Sequence, residues 1–476
     1  MKKLFVSVLG LLASMGAVAQ PDDLNCYTVI AGKDATVDGS VMMAHNEDDG
    51  GEQLLNYYMV PSQSYQKGDV YQLRNGGKES QVSVTNKYLW IELPGMDVAD
   101  SFLNDKGVAV VSNACPSRED KEDYTDGGIL YDLRRLVAER ATSAKDAVRL
   151  IGRLVDKYGY ASSGRSYCVA DANEGWIVSI VQGKHWVAAR IPDDMVMVIP
   201  NYYVINEVNL TDTVNFMGSP DIIDYAVKRG WYNPKKDGDF NFAKVYSKED
   251  AYNNSRNIDR KWRGLTKLAS GDFDSENYEA FPFTVKPKQK VTLNTLMNLL
   301  SDHYEGTEID CVRKSEDGNP HTAYWRTICT NTTQYAVVFQ LRKDMPVEIG
   351  ALAWIAPYHP CTQVFVPWYI GIETLPEGYS RYVSYQEAQE KHFTDTTGYR
   401  EKYPTHKYWE AVKVADRADK QYSIFIEPIK SKNLMKQYEL IKAQPAFEQE
   451  MINLLAQDKA KCVQALTDYT QKVLSE

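Results

Sequence analysis

Six residues, QPDDLN, separate Cys26 from Ala19. If they are removed, Cys26 becomes the N-terminal residue and carries its own base, because a free α-amino group titrates at about 7.7–8.0 and can take the thiol proton directly or through a water. The thiolate then attacks a carbonyl, an acyl-enzyme forms and the amine leaves. A leader that blocks the amine makes the chain a zymogen. The same position also suits the first inward-facing residue of a core strand. The seven cysteines, Cys26, Cys115, Cys168, Cys311, Cys329, Cys361 and Cys462, include no C-x-x-C pair and no cysteine–histidine spacing suited to zinc. In an exported chain an odd count leaves at least one thiol unpaired, as buried filler or as a reactive group.

Export is what the start of the chain predicts. Lys2 and Lys3, the apolar run Leu4 to Leu12 and Ala17-Val18-Ala19 describe a signal peptide over 1–19, with 20–25 as a propeptide. That run is too short to span a membrane and nothing later approaches about 20 apolar residues, so the mature chain is expected without a span, in the periplasm or outside the cell. Acidic residues outnumber basic ones by 64 to 54, and no Lys/Arg block is dense enough to follow a phosphate backbone, which argues against nucleic acid.

The elements that must position Cys26 are short strands at hairpin spacing. YTVIAG and VMMAHNED flank a turn at Asp38-Gly39; KYLWIEL, VAVVSNA, SYCVAD, GWIVSI, HWVAAR, MVMVIPN, YAVVFQLR and ALAWIA follow, most of them bounded by Gly, Asp, Asn or Pro. Such spacing predicts antiparallel sheet. Between them, residues 127–159 repeat apolar positions at three and four, predicting two adjacent helices with Ser143 as N-cap of the second, and NTLMNLLSDHYEG predicts another. From about Ser384 onward, SYQEAQEKH, KYWEAVKVADRADK and AFEQEMINLLAQDKAKCVQALTDYTQKVL read as charged helices, a C-terminal appendage. The class is α+β, helices laid over antiparallel sheets, with a domain over 26–382 and a helical extension over 383–476.

From Cys26 through GKDATVDGSVMMAHNEDD the chain resembles the N-terminal-nucleophile dipeptidases related to secernins, in the superfamily of bile salt hydrolases and penicillin V acylases. The resemblance extends through FLNDKGVAVVSNACPSRE, VMVIPNYYVINEV and QYAVVFQLRKDMPVEIGALAWIAPYHPCTQVFVPWY, to about Tyr369. It implies an αββα sandwich, hydrolysis of small peptides, and no metal or organic cofactor; a homo-oligomer is left open. It also implies site residues. Where the related acylases carry an arginine and an aspartate beside the nucleophile, this chain has His45 and Asp48. Asp48 would hold the ammonium of Cys26 or of the substrate, and His45 would bind substrate, donate to the thiolate or fill space. Asn113 and Asn201 match pocket asparagines able to donate to an oxyanion, with Asn113 alternatively orienting substrate. Arg260, with Arg256 and Arg263 as neighbours, would fix Asp48 or clamp a substrate carboxylate. The alternatives are an N-acyl amide hydrolase of the bile salt or penicillin type and a non-catalytic peptide-binding surface protein. No H-E-x-x-H, G-x-S-x-G or phosphate-loop pattern supports a metallopeptidase, a serine hydrolase or a nucleotide site.

Overall fold

In the computed structural model, which describes residues 26–49, 54–93, 98–375, 377–380 and 399–475, the turn-punctuated runs become two antiparallel sheets lying face to face. The signal segment 1–19, the propeptide 20–25 and the helix expected at SYQEAQEKH lie outside the described residues. One sheet has seven strands, in the order Thr284–Val285, Val196–Ile199, Tyr27–Ala31, Val41–Asp48, Thr333–Leu341, Ala351–Pro357 and Val366–Tyr369. The other has eight: Phe216–Gly218, Trp186–Ile191, Gly175–Gly183, Tyr160–Ala170, Ala109–Ala114, Val98–Asn104, Tyr88–Leu93 and Asn56–Val60.

Alternation along each strand sends one set of side chains between the sheets and the other toward helices. Between the sheets, Tyr335 donates to Ser101 across the gap at 2.7 Å and Ile30 lies over Gly175. On the far side of the eight-stranded sheet, helices Asp132–Arg140 and Ala144–Tyr158 bury Leu136, Val148, Ile151 and Val155 against Tyr167, Trp176 and Val178. Ser143 caps the second of these, its hydroxyl accepting from the Asp146 amide at 3.1 Å, and Gly159 ends it at φ +76°. Helices Ser255–Leu268 and Leu293–Leu300 pack on the outer face of the seven-stranded sheet. The layers therefore run αββα.

The C-terminal helical extension packs on this sandwich. Tyr408–Lys420, Tyr422–Gln457 and Lys459–Ser475 pack over the Ala351–Pro357 and Val366–Tyr369 strands. Trp409, Val412, Leu440 and Leu466 join the same apolar core as the strands, and Arg342 pairs in fork fashion with Glu448. The charges visible in that part of the sequence mark only its solvent face.

Helix Ser255–Leu268 approaches the Tyr27–Ala31 strand closely because Gly264 has no side chain. A methyl there would lie 2.2 Å from the Tyr27 hydroxyl and 2.8 Å from a Val198 methyl. Replacing a helical glycine by alanine ordinarily gains roughly 0.5–1 kcal/mol. For Gly264→Ala the overpacking outweighs that gain, and urea unfolding should show a net loss of about 1–2 kcal/mol. An unchanged or raised stability would mean that the helix does not need this contact distance.

Candidate active site

The register of two neighbouring strands assembles the site. Thr28 pairs with His45 and Tyr27 with Asn46, so one further step sets Cys26 opposite Glu47. Residues directly opposite share a face. Cys26, Thr28, His45 and Glu47 therefore point between the sheets, while Tyr27, Asn46 and Asp48 point toward the helices.

Between the sheets, a chain of hydrogen bonds runs away from the thiol. Cys26 Sγ donates to Glu47 Oε1 at 3.5 Å, Glu47 Oε2 lies 3.0 Å from His45 Nε2, and His45 Nδ1 lies 2.8 Å from Thr28 Oγ1. Thr28 donates to Asn113 Oδ1 at 2.6 Å, and Asn113 Nδ2 donates to the carbonyls of Ile199 and Pro200 at 3.3 and 3.1 Å. The proton positions follow from the far end. Two carbonyl acceptors fix the Asn113 amide, so its oxygen must face Thr28, which has a single hydrogen to give. Thr28 consequently accepts from His45, whose Nδ1 carries a proton. The contact between His45 Nε2 and Glu47 then holds one further proton, as an imidazolium facing a carboxylate or a neutral imidazole facing a carboxylic acid.

His45 and Glu47 stand beside the thiol together, the ligating atoms of Cys26, His45 and Glu47 all lying within 4.8 Å of one another. One expectation changes here. Asn113 has no amide hydrogen left for an oxyanion, because both are used by the Ile199 and Pro200 carbonyls, and it serves instead to orient Thr28.

From the helix side, Arg260 grips Cys26 by its backbone. Fully buried, it donates from Nη1 to the Cys26 carbonyl at 3.1 Å and from Nη2 to Asn201 Oδ1 at 3.0 Å and Asn257 Oδ1 at 2.7 Å. Burial, with Arg326 nearby, lowers its pKa to about 10, which still leaves it cationic at neutral pH. Asn201 gives one amide hydrogen to the Ala114 carbonyl at 2.9 Å; the second has no acceptor among the described residues. Arg256 does not join the cluster: its side chain is exposed and only its carbonyl takes part, accepting from Arg260 Nε at 3.0 Å. Arg263 is committed elsewhere, in a fork with Asp302 at 2.7 Å for both bonds.

Asp48 lies on the helix-facing side of its strand, accepting from Thr333 Oγ1 at 2.7 Å, with Arg326 Nη2 at 3.5 Å. Burial pushes its carboxyl up to about 6, against the pull of Arg326 and Arg260 and the hydrogen bonds. Glu47, Thr28, Asn257 and Arg326 are the residues that sequence reasoning missed. Only Glu47 had a usable signal, since the hairpin register sets it opposite Cys26.

The profile of Peptidase family C69 matches residues 120–434. A probable dipeptidase from Salmonella dublin is 27% identical over 391 residues, covering 79% of this chain and 87% of its own. Dipeptidase A of Lactobacillus helveticus is 26% identical over 372 residues, covering 74% and 77% respectively. Among solved structures, penicillin V acylase from Agrobacterium tumefaciens aligns at a TM-score of 0.34 with 14% identity, covering 73% of this chain and 87% of that one. The profile match begins beyond Cys26.

Asp48 also makes a stability signature. Between roughly pH 4 and 6 the folded carboxyl keeps a proton that the unfolded chain has released, so its contribution is full below about pH 4 and is lost as pH rises through 6. The shift corresponds to something on the order of 3 kcal/mol. Urea unfolding of the wild type should therefore lose about that much from pH 4 to 7 relative to Asp48→Asn. Parallel stability curves for the two proteins would overturn this account of the buried carboxyl.

Proposed function

The chain belongs to Peptidase family C69, and from that premise we propose that it is an exported dipeptidase whose nucleophile is Cys26, activated by loss of residues 20–25. The observation that carries the reading is the convergence on one residue: the Cys26 thiol lies on a carboxylate while its carbonyl is held by a buried arginine that also orients Asn201. The dipeptidase names of the relatives from Salmonella dublin and Lactobacillus helveticus support the substrate class. No helix among the described residues is long and apolar enough to cross a membrane.

The freed amine of Cys26 takes the thiol proton, and the sulfur attacks the carbonyl carbon of the scissile peptide. Because the strands are antiparallel, the backbone nitrogen of Cys26 points toward the Asp48 end of its neighbour, where a carboxylate can hold the ammonium as it forms. The spare amide hydrogen of Asn201 meets the oxyanion. The ammonium then returns its proton to the leaving amine, the C–N bond breaks, and water hydrolyses the thioester by the same route in reverse. Arg260 does not donate to the substrate in this scheme; it fixes the carbonyl next to the nucleophile and the asparagine that serves the oxyanion.

The test is to purify the secreted protein, read its N-terminus and assay dipeptides beside bile-salt and penicillin-type amides. The expected chain begins at Cys26 and cleaves dipeptides, and Cys26→Ala is inactive. Full activity in a chain that still begins at Gln20 would remove the free-amine mechanism, and preferential cleavage of the lipophilic amides would replace the dipeptidase reading with the acylase one. Asn201→Ala should lower kcat by roughly 100- to 1,000-fold with a much smaller change in KM, the mark of a donor used in the transition state; a change confined to KM would reassign Asn201 to substrate binding.

A further inference from the structure

Away from the Cys26 thiol, four buried side chains aim donor atoms at one point. They are His303, His321, Cys329 and Cys361, and their ligating atoms all lie within 4.8 Å of one another. His321 Nε2 lies 3.2 Å from His303 Nε2, 3.6 Å from Cys329 Sγ and 3.7 Å from Cys361 Sγ. One ring nitrogen has either one proton or one lone pair, so it cannot satisfy three such neighbours by hydrogen bonding.

The outer partners sharpen the conflict. His303 Nδ1 lies 3.2 Å from Glu305 Oε1, and His321 Nδ1 lies 2.9 Å from Asp419 Oδ1. Each carboxylate draws the ring proton to Nδ1, which leaves two Nε2 lone pairs facing each other beside two sulfurs. A cation at the centre resolves this. Tetrahedral zinc at about 2.1 Å from nitrogen and about 2.3 Å from sulfur would set N–N at about 3.4 Å and N–S at about 3.6 Å, close to the 3.2 Å and the 3.6 and 3.7 Å found. Carboxylates behind both histidines are the usual outer support of such a site.

We propose that His303, His321, Cys329 and Cys361 bind one Zn²⁺ in a closed, four-protein-ligand site whose task is structural. The ligands come from chain positions 18, 8 and 32 residues apart, so no short motif encodes them. The site ties together three parts of the fold. Its loop, residues 301–332, carries Ile328, whose carbonyl accepts from Asn46 at 2.9 Å, and Arg326 beside Asp48. Cys361 belongs to the short helix Pro360–Thr362, and Asp419 to helix Tyr408–Lys420. Zinc here would anchor the helical layer to the loop that backs the Asp48 strand.

The experiment is metal analysis of the full chain purified without chelator. About one zinc per chain is expected, falling below a tenth in Cys329→Ser and Cys361→Ser, while Asp419→Asn gives up its zinc to a competing chelator 10- to 100-fold more readily. Exchange with Co²⁺ should produce sulfur-to-cobalt charge-transfer absorption and the visible bands of a tetrahedral site. Should the cysteine variants fail to fold, the wild type decides alone. A wild-type chain without zinc, a Cys329–Cys361 disulfide seen as two thiols missing on alkylation of the denatured protein, or a different metal at full occupancy would each overturn the proposal.

Discussion

The bond from Arg260 to the Cys26 carbonyl is the constraint on which the site depends. A strand end is normally the loosest part of a sheet, since it lacks neighbours on one side. Here a guanidinium removed from water stiffens it, and burial of that charge is tolerable because a carbonyl and two amide oxygens accept its hydrogens. The clamp needs the helix close to the strand, which Gly264 permits one turn after Arg260. It also needs Asn257, three residues earlier, to hold Asn201 from behind through its main-chain carbonyl. Deleting any one of these leaves a buried polar group without its partner, so they act as a unit.

The two faces of the Val41–Asp48 strand divide the electrostatic work. On the inner face, Glu47 and His45 hold one proton between them, next to the thiol. On the outer face, Asp48 is set among Arg260, Arg326 and Thr333. Alternation in a β-strand makes this separation without any additional structure, because adjacent residues 47 and 48 must diverge. One backbone thus carries a carboxylate on each side, Glu47 beside the Cys26 sulfur and Asp48 toward the helices.

What could be read from the sequence was local. The hairpin following Cys26, the Ser143 cap and the paired helices are written in turn residues and periodicity, and the structure has them. The inner network was not legible, because whether an asparagine has an amide hydrogen to spare depends on carbonyls contributed by a distant loop. Asn113 and Asn201 look alike in the sequence, each at the end of an apolar run, yet Ile199 and Pro200 consume both hydrogens of the first and Ala114 only one of the second. Glu47 was not singled out, although the hairpin register sets it opposite Cys26. The C-terminal helices were legible, but not what they pack against, since an amphipathic pattern announces a buried face without saying what buries it.

That last point bears on how the layers hold together. The seven-stranded sheet pairs strands far apart in the chain, with Val41–Asp48 beside Thr333–Leu341 and Tyr27–Ala31 beside Val196–Ile199. Long-range pairings of this kind form late and cost chain entropy before they return any contact energy. The Asp48 strand is secured on its helix side by polar contacts from the 301–332 loop and its two flanking residues: Asn46 donates to the carbonyls of Leu300 and Ile328, and Thr333 and Arg326 meet Asp48. Such a loop is useful as a support only if it is itself fixed. Tyr304, Cys311 and Ile328 bury their side chains, and directional bonds add to that: the Arg263–Asp302 fork at its start, and the His321–Asp419 contact that reaches the C-terminal helices. The helical layer thus acts on the site through a chain of polar contacts, from Asp419 to the loop and from the loop to the strand that carries Glu47 and Asp48.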